Sequence, residues 1–131
     1  MYNQKNTVVY QERKCAVNKR AVGASYEQKA ADYLRQQGYE ILERNYRCRA
    51  GEIDLIARED PYLVFVEVKY RAGAAAGYGS EAVDFRKQQR IIRAASWYLM
   101  EKHIRADMLC RFDVVSFFGE KITILRDAFW S

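Results

Sequence analysis

The run YEQKAADYLRQQ, residues 26–37, carries Ala30, Ala31 and Leu34 on one helical face, and Ser25 followed by Gln28 has the spacing of a capping box. Gly38 supplies a natural C′ residue, so the spacing predicts a first helix of roughly four turns. The period then shortens. YEILERNY (39–46) reads as a short strand, RCRAG as the turn beyond it, and GEIDLIAR and YLVFVEVKY as two strands joined through Glu59, Asp60 and Pro61. RAGAAAGYG (71–79) is too rich in glycine and alanine to pack and predicts a mobile loop. Ser80 is placed to cap a second helix, SEAVDFRKQQRIIRAASWYLMEKH, whose Ile91, Ala95, Tyr98 and Leu99 form an apolar stripe. CRFDVVSFF and KITIL follow as a second hairpin around Gly119 and Glu120. Helices must bury their stripes, so the predicted fold is α/β, a central mixed sheet of about five strands flanked by helices in the order α-β-β-β-α-β-β.

Against that pattern Asp54, Glu67 and Lys69 are out of place, because they interrupt runs that otherwise read as buried strand. With a four-residue loop from Glu59 to Tyr62, cross-strand partners sum to 121, which sets Asp54 opposite Glu67 and Glu52 opposite Lys69 on one face. Like charges directly opposed are destabilising. A cation is expected between them, and a divalent metal with oxygen ligands satisfies two carboxylates better than Lys69 alone. Glu27 shares the stripe of Ala30, Ala31 and Leu34, so it points toward the sheet as a third carboxylate in need of a partner. Two acids, a lysine and Mg²⁺ or Mn²⁺ suit phosphodiester hydrolysis: the metal polarises the phosphoryl group and activates water, and the lysine steadies the attacking water or the growing charge.

Composition narrows the chemistry. His103 is the only histidine, which removes triads and multi-histidine metal sites and leaves it as a helix C-terminal partner. Cys15, Cys48 and Cys110 are odd in number and widely spaced, so they suggest neither a disulfide framework nor a zinc site. At 131 residues and 50% hydrophobic content the chain fits one domain, placed at 23–131. Its N-terminus lacks a secretory h-region and no apolar stretch approaches the ~20 residues of a membrane span, so a cytoplasmic protein without membrane contact is expected. The net charge is +5, and residues 1–22 hold five basic residues against one acidic, a basic, flexible arm beyond which the chain is nearly balanced.

The aspartate followed by Glu-x-Lys on paired strands is similar to the PD-(D/E)xK nuclease signature. The longer run G-x-x-x-E-x-x-A-x-x-Y-L (23–34), GEIDLIA, VFVEVKYR, K-x-x-R-I (Lys87 to Ile91) and RFDVV resembles the YraN-like family of uncharacterised bacterial proteins. The resemblance spans roughly residues 23–129. It implies a restriction-endonuclease-like, Holliday-junction-resolvase-like fold and a site of Glu27, Asp54, Glu67 and Lys69, with Asp54, Glu67 and Glu27 as metal ligands. Ile53 stands where the nuclease signature has proline, and Tyr26 where relatives commonly have glycine.

Arg86, Arg90, Arg93 and Trp97 fall at spacings of four, three and four on the second helix, with Lys87 beside them. This stripe suits contact with phosphates as well as it suits a solvated face, and the resemblance favours nucleic acid, DNA rather than RNA. Asp113 reads as structural, paired with a nearby arginine, and Tyr78 and Ser80 as loop residues near substrate. The leading expectation is a metal-dependent nuclease acting on DNA, including branched recombination or repair intermediates. Junction-cutting nucleases are often dimers, which puts a homodimer among the expected assemblies. The alternative is a nucleic-acid-binding module that retains the fold without turnover, and a weaker third reading is a protein-interaction domain.

Overall fold

The computed structural model describes residues 19–71 and 83–130. Helix α1 runs over Lys19–Gln36, followed by strands β1 (Glu40–Cys48), β2 (Gly51–Glu59) and β3 (Tyr62–Arg71). Helix α2 (Phe85–Glu101) and strands β4 (Cys110–Phe118) and β5 (Lys121–Phe129) complete the order α-β-β-β-α-β-β. The five strands lie side by side in sequence order, antiparallel except for the parallel β3–β4 pair that α2 connects. The mixed sheet and its flanking helices agree with the expectation from periodicity. The 1–18 portion of the expected arm, the 72–79 portion of the expected loop, and Tyr78 and Ser80 lie outside the described residues.

Each helix covers one face of the sheet. On one side Ala30, Ala31 and Leu34 of α1 pack on Leu55, Ala57, Val64, Val66, Val115 and Phe117. On the other, Ile91, Ala94, Ala95 and Tyr98 of α2 pack on Ile53, Ile56, Phe65, Phe112 and Val114. Alternate residues of β3 supply the two faces, as the period of a strand requires. At ~1.5–3 kcal/mol for each fully buried large apolar side chain, these two layers are the main source of stability. Among the described residues no helix is long and apolar enough to cross a membrane.

The ends of the elements differ from expectation in instructive ways. Helix α1 begins at Lys19, so Ser25 lies inside it and caps nothing; Gln28 donates to Asp32 Oδ1 instead (2.9 Å). Its C-terminus does close at Gly38, where φ is +99° and Tyr39 N–H bonds to Leu34 C=O (2.9 Å). Helix α2 is capped by Asp84, whose side chain accepts from Lys87 N–H (2.9 Å), and not by Ser80. Glu59 pairs with Tyr62, which leaves a two-residue turn at Asp60 and Pro61 in place of the expected four-residue loop.

The far end of the sheet is pinned by Asp113, which is fully buried. It accepts from the Tyr39 hydroxyl (2.7 Å), Arg111 Nε (2.9 Å) and the Asp127 N–H (2.9 Å). Asp127 has φ +57°, and the β4–β5 register shifts between Phe112 and Val114, so Asp113 holds a bulge in place. The expected structural role, paired with arginine, is what the fold shows for this residue.

Candidate functional site

The β2–β3 register runs as expected from Glu59↔Tyr62 to Leu55↔Val66 and then stops. Beyond that point β2 continues only beside β1, through Ile53↔Tyr46 and Glu52↔Arg47, while β3 continues beside β4, through Glu67↔Val114 and Lys69↔Ser116. The sheet forks, and Asp54 sits at the crotch. Ile53 and Ile56 pack toward α2, whereas Leu55 and Ala57 pack toward α1, so the alternation of the strand breaks at Asp54. Instead of a ladder bond, Asp54 Oδ2 accepts from Val68 N–H (2.8 Å). Asn45, opposite Asp54 in the β1 register, takes the left-handed conformation with φ +52°, one that asparagine tolerates.

A cavity of about 230 Å³ opens in the fork, with Glu27, Asp54, Glu67 and Lys87 in its wall beside Tyr26 and Tyr70. Of the residues expected at the site, Glu27, Asp54 and Glu67 come together. Lys69 pairs with Ser116 across β3–β4 and is not in the wall; the ammonium there belongs to Lys87, whose Nζ lies 3.1 Å from Glu67 Oε2. Glu52 also faces the cavity and forms an ion pair with Arg47 on β1 (3.7 Å); the expected opposition of Glu52 and Lys69 across β2–β3 does not form, because that ladder has already ended. Sequence patterning assigned Lys87 to phosphate contact and passed over Asn45 and Tyr70. For Lys87 the K-x-x-R-I run was the available signal; for Asn45 there was none.

The electrostatics follow from crowding acids in a place water reaches poorly. Burial pushes Glu67 up, the charge of Asp54 adds to it, and Lys87 offsets part of the rise. Burial also raises Asp54, against the Val68 N–H and the Glu67 hydrogen bond that favour its charged form. The two titrate as a pair, with Glu67 the holder of the proton. Glu27 is raised by burial and by Asp54, opposed by a hydrogen bond from Asn45. Burial alone would lower Lys87, but Glu67 outweighs it and holds the ammonium charged.

Among the described residues no three carboxylate, histidine or cysteine side chains converge closely enough to hold a metal on their own. The Asp54 and Glu67 pair still fits Mg²⁺ or Mn²⁺, because Mg²⁺ is ordinarily held by one or two carboxylates and takes its remaining oxygens from water and substrate phosphate. The carboxylates of Glu27, Glu52, Asp54 and Glu67 outnumber the single ammonium in the wall, so added positive charge is favourable there. Arg86, Arg90, Arg93 and Trp97 are all solvent-exposed along α2, continuing the stripe away from Lys87.

The model of a family described as uncharacterised protein family UPF0102 matches residues 26–117. A UPF0102 protein of Lachnoclostridium phytofermentans is 50% identical over 113 residues, 86% of this chain and 96% of its own length. The UPF0102 protein FN1370 of Fusobacterium nucleatum is 40% identical over 114 residues, 87% of this chain and 95% of its own. A UPF0102 protein of Caldicellulosiruptor saccharolyticus is 44% identical over 119 residues, 86% of this chain and 100% of its own. With seven-tenths of the chain inside the family model and relatives aligned over nearly their whole lengths, this chain belongs to UPF0102, the YraN-like family.

Proposed function

We propose that this protein is a Mg²⁺-dependent nuclease that hydrolyses phosphodiester bonds in DNA, on a restriction-endonuclease-like fold. The observation that carries the reading is the pair of half-buried Asp54 and buried Glu67 at the fork of the sheet, with Lys87 3.1 Å from Glu67. Burying two acids together costs stability unless a cation offsets it, and a fold that keeps them where strands part has placed that cost at an open cavity.

Asp54 and Glu67 would hold the ion, with Glu27 at the edge of the same cavity. A bound Mg²⁺ supplies Lewis-acid polarisation of the phosphoryl oxygen and lowers the pKa of water. The chain's own groups do the rest. Val68 N–H and Asn45 orient the Asp54 and Glu27 carboxylates, and Lys87 offsets part of the rise in Glu67's proton affinity and presents an ammonium to the charge that grows on the phosphate. Lys69, two residues beyond Glu67 on β3, is the second amine within the motif. Arg86, Arg90 and Arg93 extend the positive surface on which the strand's phosphates lie.

The test is calorimetric titration of Mg²⁺ and Mn²⁺ into wild type, Asp54→Ala and Glu67→Ala, with cleavage assayed on single-stranded, duplex and four-way-junction DNA. Metal binding and cleavage lost together in both variants support the reading. Wild-type protein that binds DNA but neither binds metal nor cleaves overturns it in favour of a binding module without turnover.

A further inference from the structure

Tyr26 of α1 and Tyr70 of β3 meet in the wall of the carboxylate cavity. Their rings lie parallel, with centroids 4.3 Å apart and planes at 7°. Tyr26 is held from behind by Phe117, edge to face at 4.9 Å and 66°, and the Lys29 ammonium sits 5.2 Å from its ring centre. Tyr70 is different. It is 45% exposed, and Tyr26 is the only aromatic ring recorded against it among the described residues. An aromatic with one face fixed by packing and much of its surface in water, next to acids suited to a metal, is an unusual use of a tyrosine. Tyrosines on strand surfaces ordinarily cover apolar neighbours.

We propose that Tyr70, backed by Tyr26, is a stacking platform for an unpaired nucleobase beside the phosphate in the cavity, which makes single-stranded DNA or an unpaired strand end the preferred substrate. This rests on the nuclease reading for the position of the phosphate, while the stacking itself does not depend on turnover. The physical reason for the preference is that every base inside a duplex already has both faces stacked on its neighbours. Only an unpaired base has a face to give to a tyrosine, and the interaction is tolerant of base identity because every base has a π-face. The cations in reach suit the same strand: Lys29 lies over Tyr26 and Lys87 beside Glu67, so charge that meets phosphate flanks the ring that meets the base. Tyr26 is thereby the support against which Tyr70 stacks, and not a mere bulk beside Glu27.

The experiment uses the full chain in EDTA, so that no cleavage occurs, with a short single-stranded DNA carrying one 2-aminopurine and a hairpin duplex of the same composition. Affinity is read by fluorescence anisotropy and stacking by quenching of the 2-aminopurine, for wild type, Tyr70→Ala and Tyr70→Phe. The expected result is tighter binding of the single strand with quenching, a loss of about five- to one-hundredfold in Tyr70→Ala with the quenching gone, retention in Tyr70→Phe, and an unchanged duplex affinity. Equal binding of the two DNAs by wild type, or equal changes on both in Tyr70→Ala, overturns the proposal. Thermal melting of each variant separates loss of the platform from loss of the fold. A Mg²⁺ cleavage assay on the same samples keeps the two readings apart: cleavage indifferent to Tyr70→Ala defeats the platform alone, and stacking without any cleavage defeats the nuclease reading alone.

Discussion

Lys87 on α2 places its Nζ 3.1 Å from Oε2 of Glu67 on β3, so an ammonium enters the acidic cavity from a helix rather than from the strand that carries Glu-x-Lys. The contact ties the mouth of the fork to the first turn of α2, where Asp84 caps the N–H of the same residue. The acid chemistry of the site is therefore coupled to the start of this helix. Removing Lys87 takes away the charge that offsets the pair.

Lys87→Ala is expected to lower the rate of DNA cleavage by about a hundredfold or more, the usual scale for one preorganised charge-stabilising donor. Lys69→Ala is the companion variant. A larger loss in Lys87→Ala than in Lys69→Ala, measured under single-turnover conditions, assigns the working ammonium to the helix; the reverse order returns it to the strand.

Glu67→Gln should stabilise the protein in the absence of metal while abolishing Mg²⁺ binding. The sign follows from the raised proton affinity: an acid pushed up in the folded state is disfavoured in its charged form near neutral pH, and the amide removes that cost. The gain is on the order of 1 kcal/mol, read as an increase in Tm in EDTA. A lower Tm would mean that the ion pair with Lys87 contributes more than burial of the pair costs. In wild type, ion uptake should release protons and weaken as pH falls, visible as a buffer-dependent enthalpy in calorimetry.

Glu59 predicts the opposite pH response at the other end of the sheet. Hydrogen bonding from Arg126 is the main influence holding its carboxyl down to about 2, with burial opposing and Arg111 adding to the effect. Its folded value lies below the ordinary 4.5, so its contribution is complete above that pH and is lost as pH falls from about 4.5 toward 2. The loss is about 1–2 kcal/mol once screening of this quarter-exposed side chain is allowed for. Urea unfolding between pH 6 and pH 3 should show the slope in wild type and a shallower one in Glu59→Gln.

Asp113→Ala should cost about 3 kcal/mol, because it leaves the mostly buried Arg111 guanidinium with Glu59 alone and the Tyr39 hydroxyl and Asp127 N–H without their acceptor. Tyr39→Phe removes one donor and should cost nearer 1 kcal/mol. Denaturant midpoints check both. In the fraction that folds, metal affinity should be unchanged, since none of these side chains belongs to the cavity wall.

Much of this was readable beforehand, for identifiable reasons. The apolar faces of both helices and the 121 register of β2 with β3 follow from strict periodicity that burial enforces. Glu27, Asp54 and Glu67 were found because charge in a buried pattern needs an explanation. The fork at Asp54 was not readable, since alternation continues through GEIDLIA in letters while the backbone breaks step. The ion pair of Lys87 was not readable for a related reason: its position on the helix is legible, but its reach across to Glu67 depends on how α2 meets β3. Strand β5 was cut short at Leu125 because Arg126 and Asp127 look like an ending, whereas the bulge at Asp127 lets the strand run on to Phe129.

The two ends of the sheet come to opposite settlements with their acids. At one end Glu59 and Asp113 meet Arg111 and Arg126, two carboxylates against two guanidiniums, and the account is closed within the chain. At the other, Asp54, Glu67, Glu27 and Glu52 share a cavity with Lys87, the one ammonium among the described residues of its wall. The strands thus join a charge-matched cluster to an acid-rich one. On the nuclease reading a divalent ion binds at the second alone, so chelators should act on this molecule from one end.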